Sequence, residues 1–328
     1  MENVYLYGGF LLFVVAMLLV DLKLFHAEAR EVSTKESAIW AAIWIGLAVV
    51  FGGIVYFWRG GTVAAEYFAG FLIEKALSVD NIFVFLMIFA YFKVKSEYQH
   101  QVLFYGILGA IFFRGLFIAA GTTLLNRFEW VLYVLGAVLL YSAYRIAKGT
   151  ESVHPEHNPV LRLFRRTGFP TTTRYEGHKL FIREAGRKVA TPLFVVLLVV
   201  EATDIAFAVD SIPAIFAITR DPFVIWTSNI FAILGLRALY FLLADSLERF
   251  HLLHYGLALI LAFVGAKMLL SHFWHPPIAV SLGVIVVTLA ITILLSLKLP
   301  PSEEAVQRLE HARQTSAEPT DKPQEAEN

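Results

Sequence analysis

The sequence predicts an all-α polytopic membrane protein of about nine transmembrane helices, containing an inverted repeat of three plus three helices. Three observations carry that prediction. Of the 328 residues, 58% are hydrophobic and 16% charged, against about 45–50% and about 25% in soluble domains. The excess is gathered into nine runs, each close to the ~20 residues that cross a bilayer. Runs such as Ala190–Val200 and Ile278–Leu295 are almost continuously apolar, whereas outer-membrane barrel strands alternate apolar and polar residues.

The nine segments fall near 4–25, 38–58, 64–91, 101–124, 128–147, 190–218, 222–245, 253–272 and 277–299. The first is apolar from Val4 to Val20 with no basic residue ahead of it. That run is too long for a cleaved signal and reads as a retained helix. The expected organisation is two N-terminal helices (1–63), repeat one (64–147), a basic loop (148–189), repeat two (190–272), a last helix (273–299) and a tail (300–328). The tail, rich in Glu, Gln, Pro, Ser and Thr, is expected to be disordered. Trp58, Trp130 and Trp274 lie near predicted interfaces, where indole rings gather.

Charge is balanced at 27 basic and 27 acidic residues, so nothing points to a nucleic-acid partner. Its placement is informative. Between Lys148 and Lys188 lie nine Lys/Arg and four acids, which the positive-inside rule assigns to the cytoplasm. Threading the other loops from there puts nineteen basic residues on that side and only Arg59, Arg127 and Arg220 on the other. The expected orientation is N-terminus outside and C-terminus cytoplasmic. The absence of cysteine excludes disulfides, thiolate metal sites and cysteine nucleophiles.

Two segments repeat. Glu74-Lys-Ala-Leu-Ser-Val-Asp80-Asn-Ile aligns with Asp204-Ile-Ala-Phe-Ala-Val-Asp210-Ser-Ile. Arg114-Gly-Leu answers Arg237-Ala-Leu, while Phe128, Tyr133 and Arg145 match Phe250, Tyr255 and Lys267 at an offset of 122. Consecutive units of three crossings must face opposite ways. Secondary transporters use such inverted repeats, with the binding site near the midplane where corresponding helices meet.

A charge at mid-bilayer costs at least about 2.5–3.5 kcal/mol. Glu74, Asp80, Glu201, Asp204 and Asp210 therefore need pairing, protonation or a cation. Together with Lys75, Arg114, Arg237 and Lys267 they sum to −1, or −2 if Asp21 is included, which leaves room for a bound cation. The carboxylates, Asn81, Ser78 and Ser211 are hard oxygen donors suited to Mn²⁺, Mg²⁺ or Ca²⁺. At 100° per residue Glu74, Ser78 and Asn81 share one face, as do Glu201, Asp204 and Ser211. Asp80 and Asp210 lie about 120° away on that helical wheel. Pro213 is expected to kink or unwind its helix and free the carbonyl of Val209 as a further ligand. Arg114 and Arg237 read either as packing counter-ions or as charges that take the acids when the site is empty. Lys75, aligned with Ile205, breaks the symmetry and stands in for a second cation or is replaced by one. The competing reading is that all these charges merely brace the bundle. His251/His254 and His272/His275 have i, i+3 spacing but fall at helix ends, where histidine is commonly solvated.

In the segments Glu74-Lys-Ala-Leu-Ser-Val-Asp-Asn-Ile-Phe-Val-Phe and Glu201-Ala-Thr-Asp-Ile-Ala-Phe-Ala-Val-Asp-Ser-Ile-Pro-Ala the chain resembles the TerC family of integral membrane proteins. The resemblance covers all nine spans. It implies a bacterial inner-membrane protein of the LysE exporter type, associated with manganese export and with tellurium resistance. By resemblance, Glu74, Asp80, Asn81, Asp204, Asp210 and Ser211 contact the ion. The expected function is export of a divalent cation, Mn²⁺ as transported substrate, through carboxylates at the repeat interface, with protonation of one acid from the outer face as the candidate coupling and with no resident cofactor. The alternative is a non-transporting membrane partner in metal loading or in secretion and assembly of other proteins. No HExxH or GxSxG motif accompanies the acids, so no enzyme is expected.

Overall fold

The computed structural model describes residues 2–25, 34–148, 159–184, 186–243, 250–273 and 276–299. Side chains are described for these residues except 2–6, 21–25, 80 and 159, so those of Asp21 and Asp80 lie outside the described atoms, as do Trp274, His275 and the tail.

Every predicted span is helical. α1 (Glu2–Phe25) and α2 (Thr34–Arg59) precede α3 (Gly61–Tyr91), α4 (Ser96–Arg127) and α5 (Val131–Ala147). A loop segment holds α6 (Pro159–Arg166) and a hairpin of β1 (Phe181–Glu184) and β2 (Arg187–Ala190). Then come α7 (Pro192–Phe216), α8 (Pro222–Leu234), α9 (Leu236–Leu243), α10 (Leu253–Leu269) and α11 (Ile278–Lys298). Five spans are long and apolar enough to cross a membrane outright: α2, α4, α7, α8 with α9, and α11. Shorter apolar stretches occur in α1, α5 and α10. α3 has the length, at 31 residues, but carries Glu66, Glu74, Lys75 and Asp80.

The burial pattern fits lipid rather than water outside. On α11 three of the four buried residues are Ser281, Thr292 and Ser296, while Val287, Ile291 and Leu295 face outward. A helix that turns hydroxyls inward and branched aliphatics outward is stable only in an apolar surround.

The helix pairings carry the repeat. α3 packs on α8 and α7 on α4; α5 meets α7 and α10 meets α3; and α3–α7, α4–α8 and α5–α10 pair directly. Exchanging α3 with α7, α4 with the α8–α9 span and α5 with α10 maps this set onto itself. The α5–α10 crossing is close because a Cβ on Gly136 would lie 3.1 Å from the Gly265 carbonyl oxygen, and one on Gly265 2.9 Å from that of Gly136.

The expectation that Pro213 unwinds its helix needs correction. Pro213 does not unwind its helix, since α7 runs unbroken from Pro192 to Phe216 with Pro213 inside. A proline deletes one backbone donor, and the tight packing around Ala214, Ile215 and Phe216 holds the remaining turns. The break in repeat two falls in the next span, at Gly235 between α8 and α9.

Candidate ion-binding site

Glu74 lies near the middle of α3, Arg114 of α4 and Asp204 of α7, and all three side chains are buried. Arg114 joins the two halves. Its Nη1 donates to Oε1 of Glu74, to Oγ of Ser211 at 3.1 Å and to Oδ1 of Asn229 at 2.8 Å. Its Nε and Nη2 reach the two carboxylate oxygens of Asp204 at 3.4 and 3.3 Å. The planar guanidinium fork suits this arrangement. It holds one acid from each repeat at aligned positions, so these three groups carry a formal charge of −1 when both acids are ionised. Oε2 of Glu74 and Nδ2 of Asn229 are buried with no hydrogen-bond partner, a costly condition for polar atoms.

The predicted residues divide around this group. Ser78 is turned back onto the Glu74 carbonyl at 2.7 Å. Asn81 is buried further along α3 and is not among the partners of Arg114. Asp210 faces away, as its helical angle from Asp204 implies, and accepts from Ser142 of α5 at 2.5 Å. The charge of Arg145 also acts on it. Glu201 sits one turn before Asp204 with Oε2 unpartnered, its carboxylate lying against Gly109 of α4, where a Cβ would come within 2.0 Å.

Lys75 points to the other side of α3 and donates to the carbonyl of Ala232 at 3.2 Å. Arg237 is buried and, with Asp204, Leu103, Gly106 and Val200, lines a small internal cavity. Lys267 donates to Ser281 at 3.1 Å and feels the charge of Glu66. His254 packs at a tilt against Tyr255, and His272 meets Phe273 edge-on, in keeping with interfacial packing. Among the described residues no three His, Asp or Glu side chains gather as a ready metal cage; the two carboxylates at the centre are occupied by an arginine.

Two participants were missed from the sequence, Asn229 and Ser142. Asn229 had a signal: Thr227-Ser228-Asn229 is a polar triplet inside an otherwise apolar span, and all three are fully buried.

A helical bundle with hydroxyls turned inward, an inverted repeat and a charged cluster at its centre defines a polytopic membrane protein with a polar intramembrane site. The chain belongs to the integral membrane protein TerC family, whose model matches residues 59–304. It is 48% identical over 293 residues to an uncharacterized membrane protein of Myxococcus xanthus, covering 89% of this chain and 92% of that one. It is also similar to proteins called Alx, provisionally described as membrane-bound redox modulators. Identity is 47% over 302 residues to that of Salmonella typhi, covering 89% and 93% of the two chains, and 44% over 300 residues to that of Escherichia coli strain K12, covering 89% and 94%. No solved structure matches the chain.

Proposed function

We propose that the chain exports a divalent metal cation, Mn²⁺ as the favoured substrate, with the cation and Arg114 alternating as counter-charge of Glu74 and Asp204. The observation that carries this reading is the guanidinium bridging one acid from each repeat while leaving a net negative charge. A divalent ion between the same carboxylates balances both, which a monovalent ion cannot. Ser211 and Asn229 supply neutral oxygen donors beside them, and this donor set favours a hard ion. Movement of one repeat against the other would open the site to each side in turn. The distribution of basic residues supports a plasma-membrane orientation with N-terminus outside, so that export runs from the lysine- and arginine-rich face.

The redox description attached to the Alx relatives is compatible with this. A chain without cysteine has no thiol of its own to exchange, so an influence on redox state would run through the metal it moves. Tellurium resistance would be equally indirect.

The test is Mn²⁺ accumulation in inverted membrane vesicles at equal expression. Wild type should accumulate the ion, and Glu74→Gln and Asp204→Asn should each lose at least about ten-fold in rate, as expected when a charged ligand is neutralised in a low-dielectric site. If wild type fails to accumulate it, or both variants match wild type, the exporter reading fails and the non-transporting partner role takes its place.

A further inference from the structure

The two repeats differ most sharply where Lys75 meets the α8–α9 junction. In a continuous helix the Ala232 carbonyl accepts from the N–H four residues on, that of Leu236. Here α8 ends at Leu234, Gly235 caps it with its N–H on the Ile233 carbonyl, and α9 restarts at Leu236. The ammonium of Lys75 occupies the place beside the Ala232 carbonyl, at 3.2 Å and from 157 residues away in sequence. A cation on the last carbonyls of a helix is favourable both as a hydrogen-bond donor and against the helix dipole.

Gly235 makes the approach feasible. A Cβ there would lie 2.8 Å from Nζ of Lys75 and 3.1 Å from Cβ of Trp44. The aligned positions in the other repeat pair supply an internal control. Lys75 corresponds to Ile205 and Arg237 to Arg114. The helix that carries Arg114, α4, runs unbroken from Ser96 to Arg127. Lysine and break meet in the pair formed by α3 with α8–α9, and both are missing from the corresponding pair of α7 with α4.

What the break carries is the side wall of the central cavity. Leu236 and Arg237, the first two residues of α9, line that cavity together with Asp204. We propose that Lys75 is a positioning residue: by holding the Ala232 carbonyl in the last turn of α8 it fixes the break at Gly235 and sets α9 so that Arg237 closes the cavity beside Asp204. The consequence for transport rests on the exporter reading, but the positioning itself does not.

The cysteine-free chain permits a direct test in the full-length protein in membranes. Leu103→Cys places one thiol on the cavity wall opposite α9, and Leu139→Cys places a control in the α5–α10 seam, where the side chain is fully buried. Alkylation by N-ethylmaleimide, a probe that crosses the membrane, is timed without added metal. Adding Lys75→Met should speed modification at residue 103 about ten-fold, the scale of one lost charge-assisted hydrogen bond, and leave residue 139 unchanged. Lys75→Arg, which keeps the charge and donor, should restore slow modification. Unchanged kinetics at 103, equal acceleration at 103 and 139, or equal acceleration by Met and Arg would each overturn the proposal. Since no transport is measured, these outcomes stand whether or not the vesicles accumulate Mn²⁺.

Discussion

Repeat one keeps each of its three helices whole, while repeat two breaks the middle one. α4 carries Arg114 through an unbroken 32-residue helix, and that arginine is locked onto both acids. Arg237, its counterpart, follows the break at Gly235 and borders a cavity. Equal frames therefore produce unequal arginines. Two-fold symmetry is sufficient to bring Glu74 and Asp204 together, since each is supplied by the same position of its repeat. By itself it would make the two faces of the site equivalent. The departures from symmetry, namely Lys75 against Ile205 and the broken α8–α9 against the whole α4, are where the two faces of the site become distinguishable.

The sharpest way to break that comparison is to remove the shared arginine. Arg114→Met leaves Glu74 and Asp204 buried without their counter-charge, and removal of one partner from a buried pair costs about 3–5 kcal/mol. The expected outcome is loss of folded protein, measured as monodisperse yield and thermal stability in detergent. Combining it with Glu74→Gln and Asp204→Asn should recover much of the yield, because the charges to be balanced are gone, while Mn²⁺ accumulation stays absent. If Arg114→Met alone is as stable as wild type, the guanidinium is not what holds the halves together. Next in size is the symmetric seam. Gly265→Ala pushes a methyl to within 2.9 Å of the Gly136 carbonyl oxygen, and relief needs the helices to part, at about 1–3 kcal/mol. A lowered melting temperature with transport retained in the surviving fraction is the expected result.

How much of this could be read from the sequence follows from what sequence periodicity encodes. Nine spans, the three-plus-three repeat and the equivalence of Glu74 and Asp204 in it were legible, because length, hydropathy and aligned acids survive without coordinates; that one arginine bridges the two was not. Helical angle also foretold that Asp210 would face away from Asp204, as its bond to Ser142 shows. The unwound turn was misplaced. Pro213 carries a strong local signal, but a single lost donor is tolerated inside a packed helix. Gly235 carries a weak one, and its break is matched by a lysine that only the fold brings near it. The hairpin of β1 and β2 was invisible for a related reason: each strand has four residues, too few to show alternation. Asn229 has no charge to announce it, and its part is defined by an arginine from another helix.

Asp204 and Asp210 share one helix, and comparing them sharpens the separation within repeat two. Asp204→Asn strikes the arginine-bridged group, whereas Asp210→Asn keeps a partner for Ser142 and touches neither Arg114 nor Glu74. Its effect on Mn²⁺ accumulation should be the smaller, a few-fold, in line with one neutralised but still hydrogen-bonded contact of about 0.5–1.5 kcal/mol. Equal loss from both would place Asp210 on the ion's path after all.

The smallest effect is expected furthest from the repeat interface. α6 presents Arg162, Arg165 and Arg166 to solvent with Leu161 buried beneath, and none of these arginines touches the central group. Exposed charges of this kind contribute about 0.5 kcal/mol or less to stability, and an ion already between Glu74 and Asp204 lies well beyond a Debye length of about 8 Å from the loop if that loop sits outside the bilayer. Replacing all three by glutamine should leave accumulation within about two-fold of wild type. This is also the point where the two functional readings diverge most cleanly. A protein that acted by docking a partner through its basic loop would lose its activity with these arginines and keep it with Glu74→Gln. An exporter does the reverse, because its work is done by the buried charges around Arg114 and not by the arginines of the loop.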